Sequence, residues 1–162
     1  MAFEFHDVTD SWLAAVLALN ETAVPHVNSI DIGQMQWFAE HAAYFRIALA
    51  GGALGGFLVG MRPGTGYESL NYRWFCSNYD DFAYIDRIVV APDARRQGLA
   101  QRFYADFEAR SSGVPIMTCE VNIQPANESS MQFHTRQGFQ QVSSQHIDGG
   151  AKEVALLVKE LR

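Results

Sequence analysis

The stretch from Phe82 to Arg110 most constrains what this chain can become. Phe82 to Val90 ends in the β-branched run Ile88-Val89-Val90 and reads as the strongest strand of the sequence. Ala91-Pro92-Asp93 breaks that strand. From Gly98 to Arg110, Leu99, Phe103 and Phe107 recur every four residues with Ala100 and Tyr104 beside them, which predicts an amphipathic helix. A strand fed through a short turn into a helix leaves the helix's first N–H groups without intrahelical partners, at the positive end of its dipole. A phosphate or diphosphate can be held there by backbone N–H groups. Gly98 has no side chain to block its approach, Ala100 keeps the next turn small, and Arg95 and Arg96 add charge-assisted bonds. The plainer alternative is a solvated helix entrance whose arginines pair with Asp93 and Asp106.

The remaining elements follow from periodicity and punctuation. Phe3 to Val8 is a first strand, and Asp10 is placed to cap a helix over Ser11 to Asn20 with Leu13, Val16 and Leu17 on its inner face. Glu21 to Ile30 is a connection, and Asp31 caps a second helix reaching about Ala43, with Met35, Phe38 and Ala42 inward. Tyr44 to Ala50 and Ala53 to Met61 form a hairpin around Gly51-Gly52. Arg62 to Gly66 is a Pro/Gly loop, and Tyr67 to Asp81 is an aromatic, polar stretch without clear period. Ile116 to Val121 is a strand, Ser129 to Gln137 a short helix stopped by Gly138, and Phe139 to Ile147 with Lys152 to Leu161 a closing hairpin. The order β-α-α-β-β-β-α-β-α-β-β predicts a single α/β (α+β) domain over residues 1–162, its sheet largely antiparallel with one βαβ step.

Charge and cysteine usage narrow the function. A net charge of −6 argues against a general nucleic-acid binder, which needs a broad cationic face. Arg87, Arg95, Arg96 and Arg102 nevertheless concentrate four of the ten arginines in one short segment, which suits a small anionic ligand better than a polymer. Cys76 and Cys119 show neither CxxC spacing nor a His cluster, so no zinc site or disulfide framework is expected. No apolar stretch approaches the roughly 20 residues that span a bilayer, and no signal peptide is visible, so a cytoplasmic protein is expected.

Arg95-Arg96-Gln97-Gly98-Leu99-Ala100, led in by Val90-Ala91-Pro92, resembles the (Gln/Arg)-x-x-Gly-x-(Gly/Ala) loop of GNAT superfamily N-acetyltransferases. Asn127-Glu128-Ser129-Ser130-Met131-Gln132-Phe133-His134-Thr135-Arg136-Gln137-Gly138-Phe139 resembles that family's second motif, with Asn127, Ser130, Phe133, Gly138 and Phe139 in register. The resemblance covers roughly residues 82 to 147. It implies a mostly antiparallel central sheet of about seven strands flanked by four helices, splayed between its two central strands, Phe82 to Val90 and Ile116 to Val121. It further implies acetyl-CoA as cosubstrate and no metal. The diphosphate would sit on Arg95 to Ala100, and the coenzyme arm would meet the backbone of Ile88, Val89 and Val90 and the second-motif residues Asn127, Ser130 and Phe133.

Acetyl transfer to an amine requires a neutral nucleophile, a donor for the developing oxyanion and an exit for the thiolate. The resemblance makes the Ile88 backbone N–H the oxyanion donor. Asp86 and Glu120, one on each central strand, are the candidate carboxylates, with Asn122 placed to order a water. Asp86 is either a base or the ion-pair partner of an arginine such as Arg87. Glu120 is either a base or a substrate anchor, since a carboxylate amid Thr118, Cys119 and Val121 is costly to bury. At the position where many family members carry a tyrosine acid stands His134, which either protonates the leaving thiolate or is an ordinary helix residue. Pro25, His26 and Asn28 lie in a connection that the substrate would meet. Trp74, Tyr72 and Tyr79, with Asp80 and Asp81, either cover a cationic amine or pack their own loop. The expected activity is N-acetylation of a primary amine on a small molecule or peptide. The alternatives are a non-catalytic coenzyme A sensor or partner-binding module, and acetylation of aminoacyl-tRNA, which the acidic balance disfavours. A homodimer through the aromatic loop or closing hairpin stays open.

Overall fold

A computed structural model describes residues 2–161 of the chain. The strands are β1 (Glu4–Asp7), β2 (Tyr44–Ala50), β3 (Ala53–Met61), β4 (Ala83–Val90), β5 (Ile116–Gln124), β6 (Gln140–Ile147) and β7 (Lys152–Glu160). The helices are α1 (Leu13–Thr22), α2 (Ile32–His41), α3 (Leu70–Asn78), α4 (Leu99–Ala109) and α5 (Glu128–Arg136). The strands follow the order β1-β2-β3-β4-β5-β7-β6, with β4–β5 parallel and the ladders β1–β2, β2–β3, β5–β7 and β6–β7 antiparallel. The mixed, mostly antiparallel seven-stranded sheet is the fold class expected.

Two compact units share the chain, and β4 passes from one into the other. The first comprises the part up to Met61 together with Arg87–Arg110. Its β2–β3 hairpin turns at Gly51 and Gly52, both with positive φ (57° and 82°). Helix α4 seats against β3 because β3 lacks side chains there. A Cβ on Gly60 would come within 2.5 Å of the Phe107 ring, and one on Gly56 within 2.8 Å of the Val89 carbonyl oxygen. Phe103 and Phe107 are thereby fully or almost fully buried, each contributing about 1.5–3 kcal/mol. Asp106 of α4 ties this layer down, accepting from the Tyr44 hydroxyl at 2.7 Å and the Arg46 guanidinium at 2.8 Å.

Two expectations for this unit need correction. Asp10 does not cap α1, because Asp10–Trp12 forms a single 3-10 turn ahead of the helix, which starts at Leu13 with no side-chain cap bond. That later start turns Leu13, Val16 and Leu19 inward, rather than Leu17. Asp31 caps α2 as expected, its carboxylate accepting from the Gln34 N–H at 2.9 Å.

The second unit comprises Arg62–Asp86 and the chain from Ser111 onward. In it β7 lies between β5 and β6, so the closing hairpin returns along β5. The β4–β5 ladder consists of Ala83↔Met117 and Tyr84↔Thr118, which leaves Ile85–Asp86 and Cys119–Glu120 past its end. Helix α3 is a fifth helix where four were expected. Its nine residues lie inside the stretch that showed no period. Ser69 starts it by accepting from the Tyr72 N–H at 3.3 Å, and Asn71, Tyr72 and Phe75 are its buried residues.

Candidate functional site

In the first unit, the loop after β4 has the local geometry of an anion cradle. Val90 ends the strand, and the Ala91 N–H bonds the Gly55 carbonyl at 2.8 Å. Pro92–Ala94 makes one 3-10 turn, and Arg96 (φ 61°) and Gly98 (φ 74°) bend the chain into α4. A non-glycine residue with positive φ is uncommon and marks a loop held to a shape. Gly98 is the N-cap and supplies no side-chain acceptor, so the cap leaves the first amides of an 11-residue helix for another partner. A Cβ on Gly98 would meet no atom within 4 Å, so the space above the loop is open. Arg95 and Arg96 are exposed and make no carboxylate pair among the described residues. Arg95 reaches the Val90 carbonyl at 3.4 Å, and the Gln97 amide bonds the Asp93 carbonyl at 3.1 Å. The alternative of arginines neutralised by Asp93 and Asp106 is not what folds. Asp106 is taken by Tyr44, Arg46 and Arg110 instead. Leu99 is buried and Ala100 half-buried beneath the loop. Of the preceding residues Val89 is buried, while Ile88 and Val90 are half-buried.

Arg87 also belongs to the first unit. The guanidinium, on a residue only 4% exposed, donates to Asn20 Oδ1 at 2.9 Å, the Asn28 carbonyl at 3.2 Å and Asn28 Oδ1 at 2.7 Å. It also lies 5.2 Å from the centre of the Phe38 ring. The connection between α1 and α2 is thus fastened to β4 through Asn28. Glu21 fastens it again, accepting from Ser29, from Asn20 at 2.8 Å and from the Ile30 N–H at 3.4 Å. These bonds, led by Ser29, hold the Glu21 carboxyl below its ordinary range.

The second unit gathers both candidate carboxylates with two phenols. Tyr84 and Asp86 stand two residues apart on β4 and so face the same way. Glu120 stands two beyond Thr118, the ladder partner of Tyr84. The Tyr84 hydroxyl donates to Glu120 at 2.8 Å from Oε1 and 2.9 Å from Oε2, and the Tyr67 hydroxyl donates to Asp86 Oδ1 at 2.8 Å. Tyr84 is fully buried, with the rings of Tyr72 and Phe75 centred 5.5 and 5.8 Å away. Burial, then the charges of Glu120, Asp86 and Tyr67, push its phenol well above the usual range. Burial, then Glu120, push the Cys119 thiol up as well, so this cysteine is inert. Farther along the same face of the sheet, Asn122 has a buried Nδ2 with no hydrogen-bond partner among the described residues, and Gln145 of β6 donates to the Asn71 side chain at 2.8 Å.

The aromatic residues of α3 pack their own unit. The Tyr72 hydroxyl donates to the Arg62 carbonyl at 2.7 Å, while Trp74, Phe75 and Tyr79 contact one another at centroid distances of 5.2 to 6.4 Å. Asp81 is paired with Arg62 at 2.7 Å. Covering a cationic ligand is therefore not the work of Tyr72. Tyr67 and Tyr84, which sequence reasoning passed over, are the phenols that touch the carboxylates. The readable signal was the Tyr84-x-Asp86 alternation, since a buried tyrosine on a strand needs a partner for its hydroxyl.

On α5, Asn127 acts as the N-cap, its side chain accepting from the Ser130 N–H at 3.4 Å. His134 is 5% exposed between the rings of Phe133 and Phe139, each centred 5.2 Å away. Its Nδ1–H donates to the Ser130 carbonyl at 2.7 Å. Burial pushes the imidazole below its usual range, so the ring is neutral at pH 7 and its bound proton is committed to the helix. Phe133 and Ser130 are half-buried.

Among the described residues no group of three or more His, Cys, Asp or Glu is placed to hold a metal ion, and no helix is long and apolar enough to cross a membrane. An open helix start with uncommitted arginines suits an anionic carrier, and carboxylates held by phenols suit a basic acceptor. Those are the two demands on a coenzyme-dependent transferase. The model of the acetyltransferase (GNAT) family matches residues 11–139, and the chain belongs to that family. It is similar to the aminoglycoside N(6')-acetyltransferase type 1 of Serratia marcescens, with 28% identity over 136 residues covering 83% of this chain and 86% of the relative. Among solved structures it is similar to Ard1 from Thermoplasma volcanium, with a TM-score of 0.80 at 14% identity over 100% of this chain and 99% of that one. It is also similar to Arabidopsis thaliana NAA60 in complex with acetyl-CoA, with a TM-score of 0.78 at 18% identity over 99% of each chain. The family's chemistry, acetyl-CoA-dependent N-acetyl transfer, is the activity of this chain.

Proposed function

We propose that the chain, acting as one catalytic domain, acetylates a primary amine of a small molecule or peptide by direct attack in a ternary complex. The observation that carries this reading is the carboxylate pair Asp86 and Glu120, each held by a phenol on one face of the second unit. Acetyl-CoA supplies the thioester. The open space above Gly98 and the exposed Arg95 and Arg96, with no carboxylate partner among the described residues, fit its diphosphate, with the backbone from Arg95 to Ala100 as cradle and that of Ile88, Val89 and Val90 along the arm. Glu120, fixed from beneath by a buried phenol, anchors the acceptor as an ammonium. Asp86, half-buried and accepting a hydrogen bond from Tyr67, takes the proton that leaves the attacking amine, directly or through a water. His134 and Asn127 are assigned to building α5, and the thiolate takes its proton from solvent. The Serratia marcescens relative is an aminoglycoside N(6')-acetyltransferase, which supports including an aminoglycoside among the acceptors tested.

Thiol release from acetyl-CoA, measured over aminoglycosides, diamines and peptides with free N-termini, tests the reading. Asp86→Asn is expected to lower kcat by about 10²–10⁴-fold with coenzyme affinity kept, and Glu120→Gln to raise the acceptor KM. Coenzyme binding with no amine turned over would favour a sensor instead.

A further inference from the structure

Tyr84 has a chemical environment that packing alone does not require. Its ring fills a place where phenylalanine would bury the same apolar area, yet its hydroxyl sits at near-equal distances, 2.8 and 2.9 Å, from both oxygens of one carboxylate. One donor shared by both oxygens holds the carboxylate facing the phenol along its Cγ–Cδ axis. The rings of Tyr72 and Phe75 close around the phenol, which is fully buried and has no water to turn to.

We propose that Tyr84 is a positioning residue that holds Glu120 ionised and oriented toward the acceptor's ammonium. The proposal rests on the reading that the acceptor docks on this face. Around the Tyr84–Glu120 pair stand Asp86 of β4 and Tyr67 of the segment before α3, with Tyr72 of α3 behind the Tyr84 ring. Cys119 adjoins Glu120 in the chain and stays a neutral thiol. Uncharged Leu156 of β7 lies opposite Glu120 in the ladder. The Tyr84 bond favours the ionised form of Glu120, because a phenol donates more strongly to a carboxylate than to a carboxylic acid. The phenol itself stays protonated throughout, since burial and the neighbouring negative charges push it far up.

The sign is fixed by the donor. Losing the bond makes the Glu120 carboxyl hold its proton to higher pH. Titration of the protein carrying ¹³C-labelled glutamate carboxyls, with Glu120 assigned by its absence in Glu120→Gln, is expected to show Glu120 raised by about one pH unit in Tyr84→Phe, a tenfold change in proton affinity. The acceptor KM should rise below neutral pH while kcat at saturation moves little, and in the Glu120→Gln background Tyr84→Phe should add no further pH dependence. A 3-fluorotyrosine placed at position 84, a stronger donor of nearly the same shape, should move Glu120 the opposite way, and it decides the matter if Tyr84→Phe fails to fold. A Glu120 titration unmoved by either change overturns the proposal even if acetylation proceeds. Total absence of amine turnover defeats the functional reading while the titration still decides the role of Tyr84.

Discussion

Replacing Gly98 tests whether the start of α4 receives a diphosphate, because strain and obstruction can be separated there. Gly98 has φ of 74°, where an alanine costs about 1–2 kcal/mol and an asparagine costs less. Asparagine is moreover a good N-cap, the role Gly98 fills without a side chain. In the folded protein a Cβ at this position touches nothing within 4 Å, so neither substitution clashes. Gly98→Ala should therefore lose about 1 kcal/mol of stability from strain alone, and Gly98→Asn close to none. Both place atoms where the anion would approach the amides, and both should weaken coenzyme A by at least about tenfold, or 1.4 kcal/mol. Gly113 serves as control, since its φ is 82° and its Cβ would also meet nothing. Gly113→Ala should show the same stability loss with unchanged affinity. Urea unfolding and isothermal titration calorimetry with coenzyme A read the two quantities separately. Wild-type affinity in Gly98→Asn would refute the placement of the diphosphate.

Three further outcomes follow from the geometry. Arg87→Met keeps an apolar stem over Phe38 but strips donors from Asn20 and Asn28, and is expected to cost about 3 kcal/mol in chemical unfolding. His134→Phe fills the space between Phe133 and Phe139 and should leave kcat within about threefold of wild type in a thiol-release assay, whereas a drop of about 10²-fold or more would make His134 the acid. Burial pushes the Asp106 carboxyl up, but bonds from Tyr44, Arg46 and Arg110 outweigh it and hold the carboxyl below its ordinary range. Its stabilisation is therefore complete above the unfolded value of about 3.9 and fades as pH falls through the lower folded one, so the stability gap between wild type and Asp106→Asn should close in acid.

What could be read in advance depended on whether a segment's own pattern or a distant partner decided its structure. The β2–β3 hairpin is set by Gly51-Gly52 between two apolar runs, and its strands begin and end as the sequence implies. The α4 entrance is equally local, written in Pro92, Gly98 and the four-residue spacing of its apolar face. Helix α3 was hidden because its buried residues are Asn71, Tyr72 and Phe75, a mixture with no apolar stripe, and their burial depends on partners such as Phe82, Tyr84 and Gln145. The site residues divide the same way. Asp86 and Glu120 stood out as carboxylates on apolar strands, but the Tyr84–Glu120 bond joins residues 36 apart, and only the parallel β4–β5 register, which sets Tyr84 beside Thr118, brings Glu120 within its reach.

That register gives β4 its unusual burden. Along the strand Ala83, Tyr84, Ile85, Arg87 and Val89 are buried, whereas Asp86, Ile88 and Val90 are half-buried, and the two faces do different work. Arg87, on one face, fastens the α1–α2 connection through Asn20 and Asn28. Tyr84 and Asp86, on the other, meet Glu120 and Tyr67. A slip of one residue would put the guanidinium where the carboxylate belongs and remove the phenol from Glu120. Such a slip is opposed from both sides at once, by the buried Arg87 bonds and by the buried Tyr84 bond, each of which would be left unsatisfied at about 1–3 kcal/mol per group. Polar residues that the proposed chemistry needs therefore also help to fix the strand's register, and loss of either set of bonds is expected to show in stability.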